Sequence, residues 1–83
     1  MTLTLEYEQE EDGRWLAEVL ELPGVLAYGQ TSDEALAKAQ ALALRVLADR
    51  LEHGEGAPEL LNISFAAKGI HPTATTTQLA RLV

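Results

Sequence analysis

The sequence predicts an α+β domain with the element order β-β-β-α-β, a three-stranded antiparallel meander followed by one helix and a returning strand. Three observations carry this. Apolar and polar residues alternate through the first thirty positions in short runs broken by turn residues. The stretch from Ala35 to Glu52 is rich in Ala and Leu and free of Gly and Pro. Alternation then returns at Leu60.

In residues 2–8, Leu3, Leu5 and Tyr7 alternate with Thr4, Glu6 and Glu8, the period of a half-buried strand. Gln9 to Gly13 is polar and ends in Asp12-Gly13, a turn signal. Residues 14–20 resume the alternation, with Trp15, Ala17 and Val19 on one side and Arg14, Leu16, Glu18 and Leu20 on the other. The expected register sets Glu8 against Arg14, Tyr7 against Trp15, Leu5 against Ala17 and Leu3 against Val19, so that the apolar partners share one face. Glu21-Leu22-Pro23-Gly24 reads as a turn with Pro and Gly at the two central positions of type II. Val25 to Tyr28 is then a short third strand, ended by Gly29.

Thr31-Ser32-Asp33-Glu34 has the form of a capping box, in which Thr31 accepts from the backbone of Glu34 and Glu34 reaches back. The helix is expected over Ala35–Glu52, with His53 as a cation near its C-terminus and Gly54 as its stop. Leu60 to Ala66, with Leu61, Ile63 and Phe65 alternating, is the expected fourth strand. Joined parallel to the first, it gives a sheet of order 3-2-1-4 with the helix on one face. The domain is therefore expected over 1–66. Residues 67–83, Thr-rich and without an acid, read as a loosely attached tail with at most one helical turn at Gln78–Val83.

Composition narrows the function. Thirteen acids against six bases give a formal charge of −7, and seven of the acids fall in the first 21 residues beside Arg14 alone. A general nucleic-acid binder needs a dense basic patch, and none is legible; net acidity suits a basic partner instead. The absence of cysteine excludes disulfides and thiolate metal sites and fits a reducing cytoplasm. No signal peptide and no membrane span is expected.

Two surfaces stand out. The helix is apolar around a wide arc: Leu36, Ala39, Leu42, Ala43, Val46 and Leu47 form a sheet-facing stripe, and Leu44, Leu47 and Leu51 extend it sideways. The excess points to a second contact, such as self-association, although exposed alanines are also simply good helix formers. On the sheet, small Ala17, Ala27 and Gly29 would let the helix approach closely. Leu16, Leu20, Leu26 and Tyr28 then point to the uncovered face, rimmed by Glu6, Glu8, Glu18 and Arg14. An apolar patch with a charged rim has the makings of a binding surface.

Catalysis is not expected. Glu6, Glu8 and Glu18 could lie together, and paired carboxylates can hold Mg²⁺ for nuclease chemistry, but a solvated acidic face is the simpler reading. His53 and His71 have no metal-type spacing, no Ser-His-Asp set is legible, and there is no phosphate loop. No metal or cofactor site is expected. Tyr7 and Trp15 read as core rather than as a base-stacking platform.

The segments Glu11-Asp12-Gly13-Arg14-Trp15-Leu16-Ala17-Glu18-Val19, Leu22-Pro23-Gly24-Val25, Gly29-Gln30-Thr31 and Glu34-Ala35-Leu36, in this order and spacing, resemble the HicB antitoxin family over about residues 2–66. The resemblance implies a degraded ribonuclease-H-like fold without nuclease activity. It also implies a partner, a small basic mRNA-cleaving toxin of the HicA type, which the antitoxin binds and blocks. Partner contacts are then expected at Glu6, Glu8, Arg14, Leu16, Glu18, Leu26 and Tyr28. Complete HicB-like antitoxins usually carry a further operator-binding domain. About seventeen residues follow the expected fourth strand, too few for one, so direct nucleic-acid binding is not expected. The alternative is an orphan homo-oligomeric interaction module of the same fold, with no toxin.

Overall fold

The computed structural model describes residues 1–56 and 58–70. Three strands, β1 (Thr2–Gln9), β2 (Trp15–Val19) and β3 (Leu26–Gly29), precede one long helix, α1 (Ser32–Glu52). A 3₁₀ turn at Pro58–Leu61 leads to the last strand, β4 (Ser64–Gly69). The sheet order is β3-β2-β1-β4, with β1 antiparallel to β2 and parallel to β4, which is the predicted arrangement. Among the described residues no helix is long and apolar enough to cross a membrane.

The β1–β2 register differs from the expected one by two residues. Leu5 lies opposite Val19, Tyr7 opposite Ala17, Glu8 opposite Leu16 and Gln9 opposite Trp15. The loop is tighter than its polar composition indicates. Gly13 donates to the Glu10 carbonyl at 2.9 Å, Glu10 donates to that of Arg14 at 2.7 Å, and Gly13 takes a φ of +94°. A glycine in the left-handed region closing a short turn is the usual way to enter a twisted hairpin, and it releases Gln9 into the ladder. Because side chains alternate with period two, a two-residue shift changes partners but leaves every face as expected. Tyr7 and Trp15 are therefore diagonal neighbours on the helix side rather than a direct pair, their rings 6.2 Å apart and tilted by 42°.

The second turn follows the expectation. Val25 donates to the Leu22 carbonyl at 3.0 Å around Pro23 and Gly24, and Gly24 has a φ of +89°. At the helix start the Thr31 hydroxyl accepts from the Glu34 amide at 3.1 Å. The Glu34 carboxylate reaches one residue further back than a standard capping box, accepting from Gln30 N–H at 2.6 Å and pairing with Lys38 at 3.3 Å. At the other end Glu55 donates to the Arg50 carbonyl and Gly54, with a φ of +74°, to that of Leu51, a Schellman closure. His53 folds back on the same end, its Nδ1 2.8 Å from the Asp49 carbonyl oxygen.

The last strand is displaced from its expected place. Leu60 and Leu61 belong to the 3₁₀ turn, where Leu61 is 86% exposed, and β4 begins at Ser64. Residues 67–69, assigned from sequence to a tail, are strand and pair with β1. Residues 71–83 of that segment, including His71 and Gln78–Val83, lie outside the described residues.

The core lies between α1 and one sheet face. Leu3, Leu5, Ala17, Val19, Leu22, Val25, Ala35, Ala39, Ala43 and Leu47 are buried, and Tyr7, Trp15, Ala27, Leu36, Leu42, Val46 and Phe65 pack around them. The helix presents alanine to the sheet at Ala35, Ala39 and Ala43, each fully buried. Gly29 completes the fit: a Cβ there would stand 2.6 Å from the Ala35 nitrogen. Gly29→Ala should therefore push the start of α1 off the sheet and cost about 1–3 kcal/mol, read as a lower urea midpoint with unchanged slope.

Two carboxylates tie loops to the framework. Glu21 accepts from the Thr4 amide at 2.7 Å and the Thr4 hydroxyl at 2.8 Å. The Thr4 N–H chiefly, then its hydroxyl, holds the Glu21 carboxyl below the ordinary glutamate value; the Gln30 N–H chiefly, then Lys38, does the same for Glu34. Folded chains thus bind these protons less readily than unfolded ones. The stabilisation is complete above about pH 5 and is lost as pH falls through the lowered values. Glu21→Gln should lower stability at neutral pH and make the acid limb of the stability curve shallower, measured by urea denaturation at several pH values.

Candidate docking face

Helix α1 covers one side of the sheet and leaves the other open. Strand parity places Thr2, Thr4, Glu6 and Glu8 of β1 on the open side, with Leu16 and Glu18 of β2, Leu26 and Tyr28 of β3, and Ser64, Ala66 and Lys68 of β4. Leu20 extends the β1–β2 ladder by donating to the Thr4 carbonyl at 3.0 Å. Every side chain assigned to this face from the sequence lies on it or at its rim.

The face is built in rows across the strands. One row runs Leu26, Glu18, Glu6, Lys68, and the next runs Tyr28, Leu16, Glu8. The apolar part is concentrated on the β2–β3 side: Leu20, Leu26 and Tyr28 are 46%, 40% and 39% exposed, and Leu16 is half-buried between its neighbours. Two leucines and a tyrosine stand in water beside a half-buried third leucine, where isolated exposed leucines would need no comment.

Arg14 is committed at the rim. Its guanidinium carbon lies 4.3 Å from the centre of the Tyr28 ring, and its Nε donates to the Asp12 carboxylate at 2.9 Å. The Arg14 backbone N–H chiefly, with the guanidinium, holds the Asp12 carboxyl below its ordinary value. The arginine thus covers one face of the tyrosine ring through a cation–π contact, with its charge answered by Asp12.

The acidic part adjoins a depression of about 120 Å³ lined by Glu6, Tyr7, Glu8, Leu16, Glu18 and Ile70. Three carboxylates around an apolar floor suit a basic side chain, whose stem can lie on Leu16 and Ile70 while its head meets the acids. Glu6, Glu8 and Glu18 share the face as expected, but among the described residues no three His, Asp or Glu side chains are placed to hold a metal ion.

Sequence reasoning missed two contributors, Lys68 and Ile70. Both follow from β4 running three residues past its expected end. Lys68 faces Glu6 across the parallel ladder and brings a positive charge into the acidic row. The weak alternation of Ala66-Ala67-Lys68-Gly69 was the available signal, masked by small side chains.

On the helix side a larger cavity, about 490 Å³, opens below the start of α1. Tyr7, Trp15, Gln9, Glu10, Ser32 and Ile70 are among its walls. The two rings read as core from the sequence are packed against it, but each remains half-buried and lines this cavity.

Comparison with protein-family models, with curated proteins and with solved structures found no match.

Glu6 and Glu18 face each other directly on adjacent strands, a like-charge pairing that costs stability. Glu18→Gln should raise stability by about 0.2–0.5 kcal/mol at low salt, with the gain shrinking as added salt screens the pair.

Proposed function

We propose that this chain is a HicB-like antitoxin that neutralises a small basic mRNA-cleaving toxin by docking it on the open sheet face. The reading rests on the family resemblance of residues 2–66. The observation that carries the docking geometry is one surface holding both halves of a recognition site. Leu16, Leu20, Leu26 and Tyr28 supply area to be desolvated, and Glu6, Glu8 and Glu18 supply charge beside it.

Physical roles divide along that line. Apolar and aromatic residues near the centre of an interface carry most of its affinity. Carboxylates at its rim steer a basic partner in and set its orientation, chiefly through the association rate. The net charge of −7 acts in the same direction at longer range. No catalytic step is required of the chain: inhibition follows from covering the toxin.

Mixing the purified chain with a basic ribonuclease encoded beside it should give a stable complex and protect RNA from cleavage. Leu26→Arg should weaken the complex at least about tenfold without lowering the melting temperature. Glu6→Gln with Glu8→Gln should slow association and flatten its salt dependence. Absence of a complex with any such neighbour would leave the orphan homo-oligomeric module as the better reading. A complex indifferent to Leu26→Arg would move the docking site elsewhere.

A further inference from the structure

Helix α1 has two apolar sides. The first is the buried stripe of Ala35, Ala39, Ala43 and Leu47 against the sheet. The second is Ala37, Ala41, Leu44, Ala48 and Leu51, which follow one another at intervals of four, three, four and three residues. This is the spacing of a seam between two helices. At 100° per residue the five fall within about 80° of arc, on the side of α1 turned away from the sheet. All five are exposed, Leu44 and Leu51 at 45% and 52%. They continue the apolar arc past buried Leu47, which lies about 40° from Leu51 around the helix, and form its solvent side.

Alanines alone would be ordinary helix formers. The two leucines add apolar area at seam positions, and the charges beside them indicate what covers it. One edge of the seam carries Glu34, Lys38, Arg45, Asp49 and Glu52 in that order. In a symmetric antiparallel pair, a two-fold axis beside Leu44 brings this edge against itself in reverse. Lys38 of each chain then faces the Asp49–Glu52 stretch of the other, and the pairing occurs twice. Arg45 comes near its own copy at the axis, with Asp49 one turn away to offset it. In a parallel pair the same edge would meet the edge holding Asp33 and Gln40, so that Lys38 would meet Asp33 while Glu52 would find no basic partner.

We propose that the chain forms a dimer through α1, antiparallel about a two-fold axis beside Leu44. Leu44 packs on Leu44 of the second copy, Ala37 accommodates its Leu51, and Ala41 lies against its Ala48. Small residues opposite large ones let the helices approach closely, as interdigitated packing requires. Because α1 lies on the helix side of the sheet, both open faces remain free and point away from each other. Self-association and docking then use different surfaces, and one dimer presents two docking faces. The inference rests on the register of α1 and stands whether or not the partner is a toxin.

The contact is one helix against one helix, so affinity in the micromolar range is expected. Sedimentation velocity of the full chain from about 5 to 500 µM should show a monomer–dimer equilibrium. Leu44→Glu should leave only monomer, with the thermal midpoint unchanged at the dilute end of the series, where the unmutated chain is also monomeric, while Leu26→Arg on the open face should leave the dimer intact. Lys38→Glu and Glu52→Lys should each weaken the dimer about 3- to 10-fold, and the double reversal should restore it. A chain monomeric at the highest concentration, or a dimer that survives Leu44→Glu, overturns the proposal. A dimer lost with Leu44→Glu but not restored by the double reversal overturns the antiparallel arrangement.

Discussion

The close seating of α1 on small residues of the sheet is the constraint from which the rest of the structure follows. Ala35, Ala39 and Ala43 face the sheet with no exposed surface, Ala17 receives them, and Gly29 lies so near that its missing Cβ is what admits the Ala35 backbone. An alanine methyl removes little apolar area from water, so this contact gains less from transfer than a leucine seam would. It gains instead from dispersion at short range, which falls off steeply if the surfaces part. Larger side chains complete the core around it: Leu3, Leu5, Val19, Leu22, Val25 and Leu47. Tyr7, Trp15 and Phe65 pack at its margins, partly exposed, where there is room for them.

A single helix laid this closely covers one face of the sheet. An antiparallel meander tolerates a solvated second face, and such a face is usually polar. Here it divides into an apolar side on β2 and β3 and an acidic side on β1 and β2, with Lys68 of β4 at its edge. The small-residue contact thus has a functional consequence. By drawing the helix to one side it leaves the other available, and the proposed docking role is a use of that face. The outer side of α1 is a separate opportunity, since a helix presenting alanine inward has its leucines at positions 44 and 51 to spend outward.

Most of the docking face was legible without coordinates because it depends on parity alone. The β1–β2 register was expected with Tyr7 against Trp15, and the structure sets Tyr7 against Ala17. The error was an even number of residues, so Glu6, Glu8, Leu16 and Glu18 still project to the side expected of them. An odd error would have reversed the whole assignment. The Asp12-Gly13 turn prevented this by ending the loop on a glycine at positive φ, although its exact length was not readable from a polar run that could have been loop or strand. Beyond parity, the pairing of Arg14 with both Tyr28 and Asp12 needed coordinates, because a long flexible side chain at a rim has many equally accessible partners.

Local chemistry in the sequence determined the element order, the turn at Pro23-Gly24, the two ends of α1 and the inward and outward sides of the first three strands. Each of these depends on neighbours within a few residues, where alternation, caps and positive-φ glycines act directly. The tertiary structure decided where β4 begins and which residue of β1 meets which of β2. Those choices compare contacts between segments far apart in the chain. Ser64–Gly69, with its weak alternation, becomes strand because β1 offers it a parallel ladder from Thr2 to Tyr7, and Leu60-Leu61, the more strand-like pair in isolation, is left to turn the chain into it.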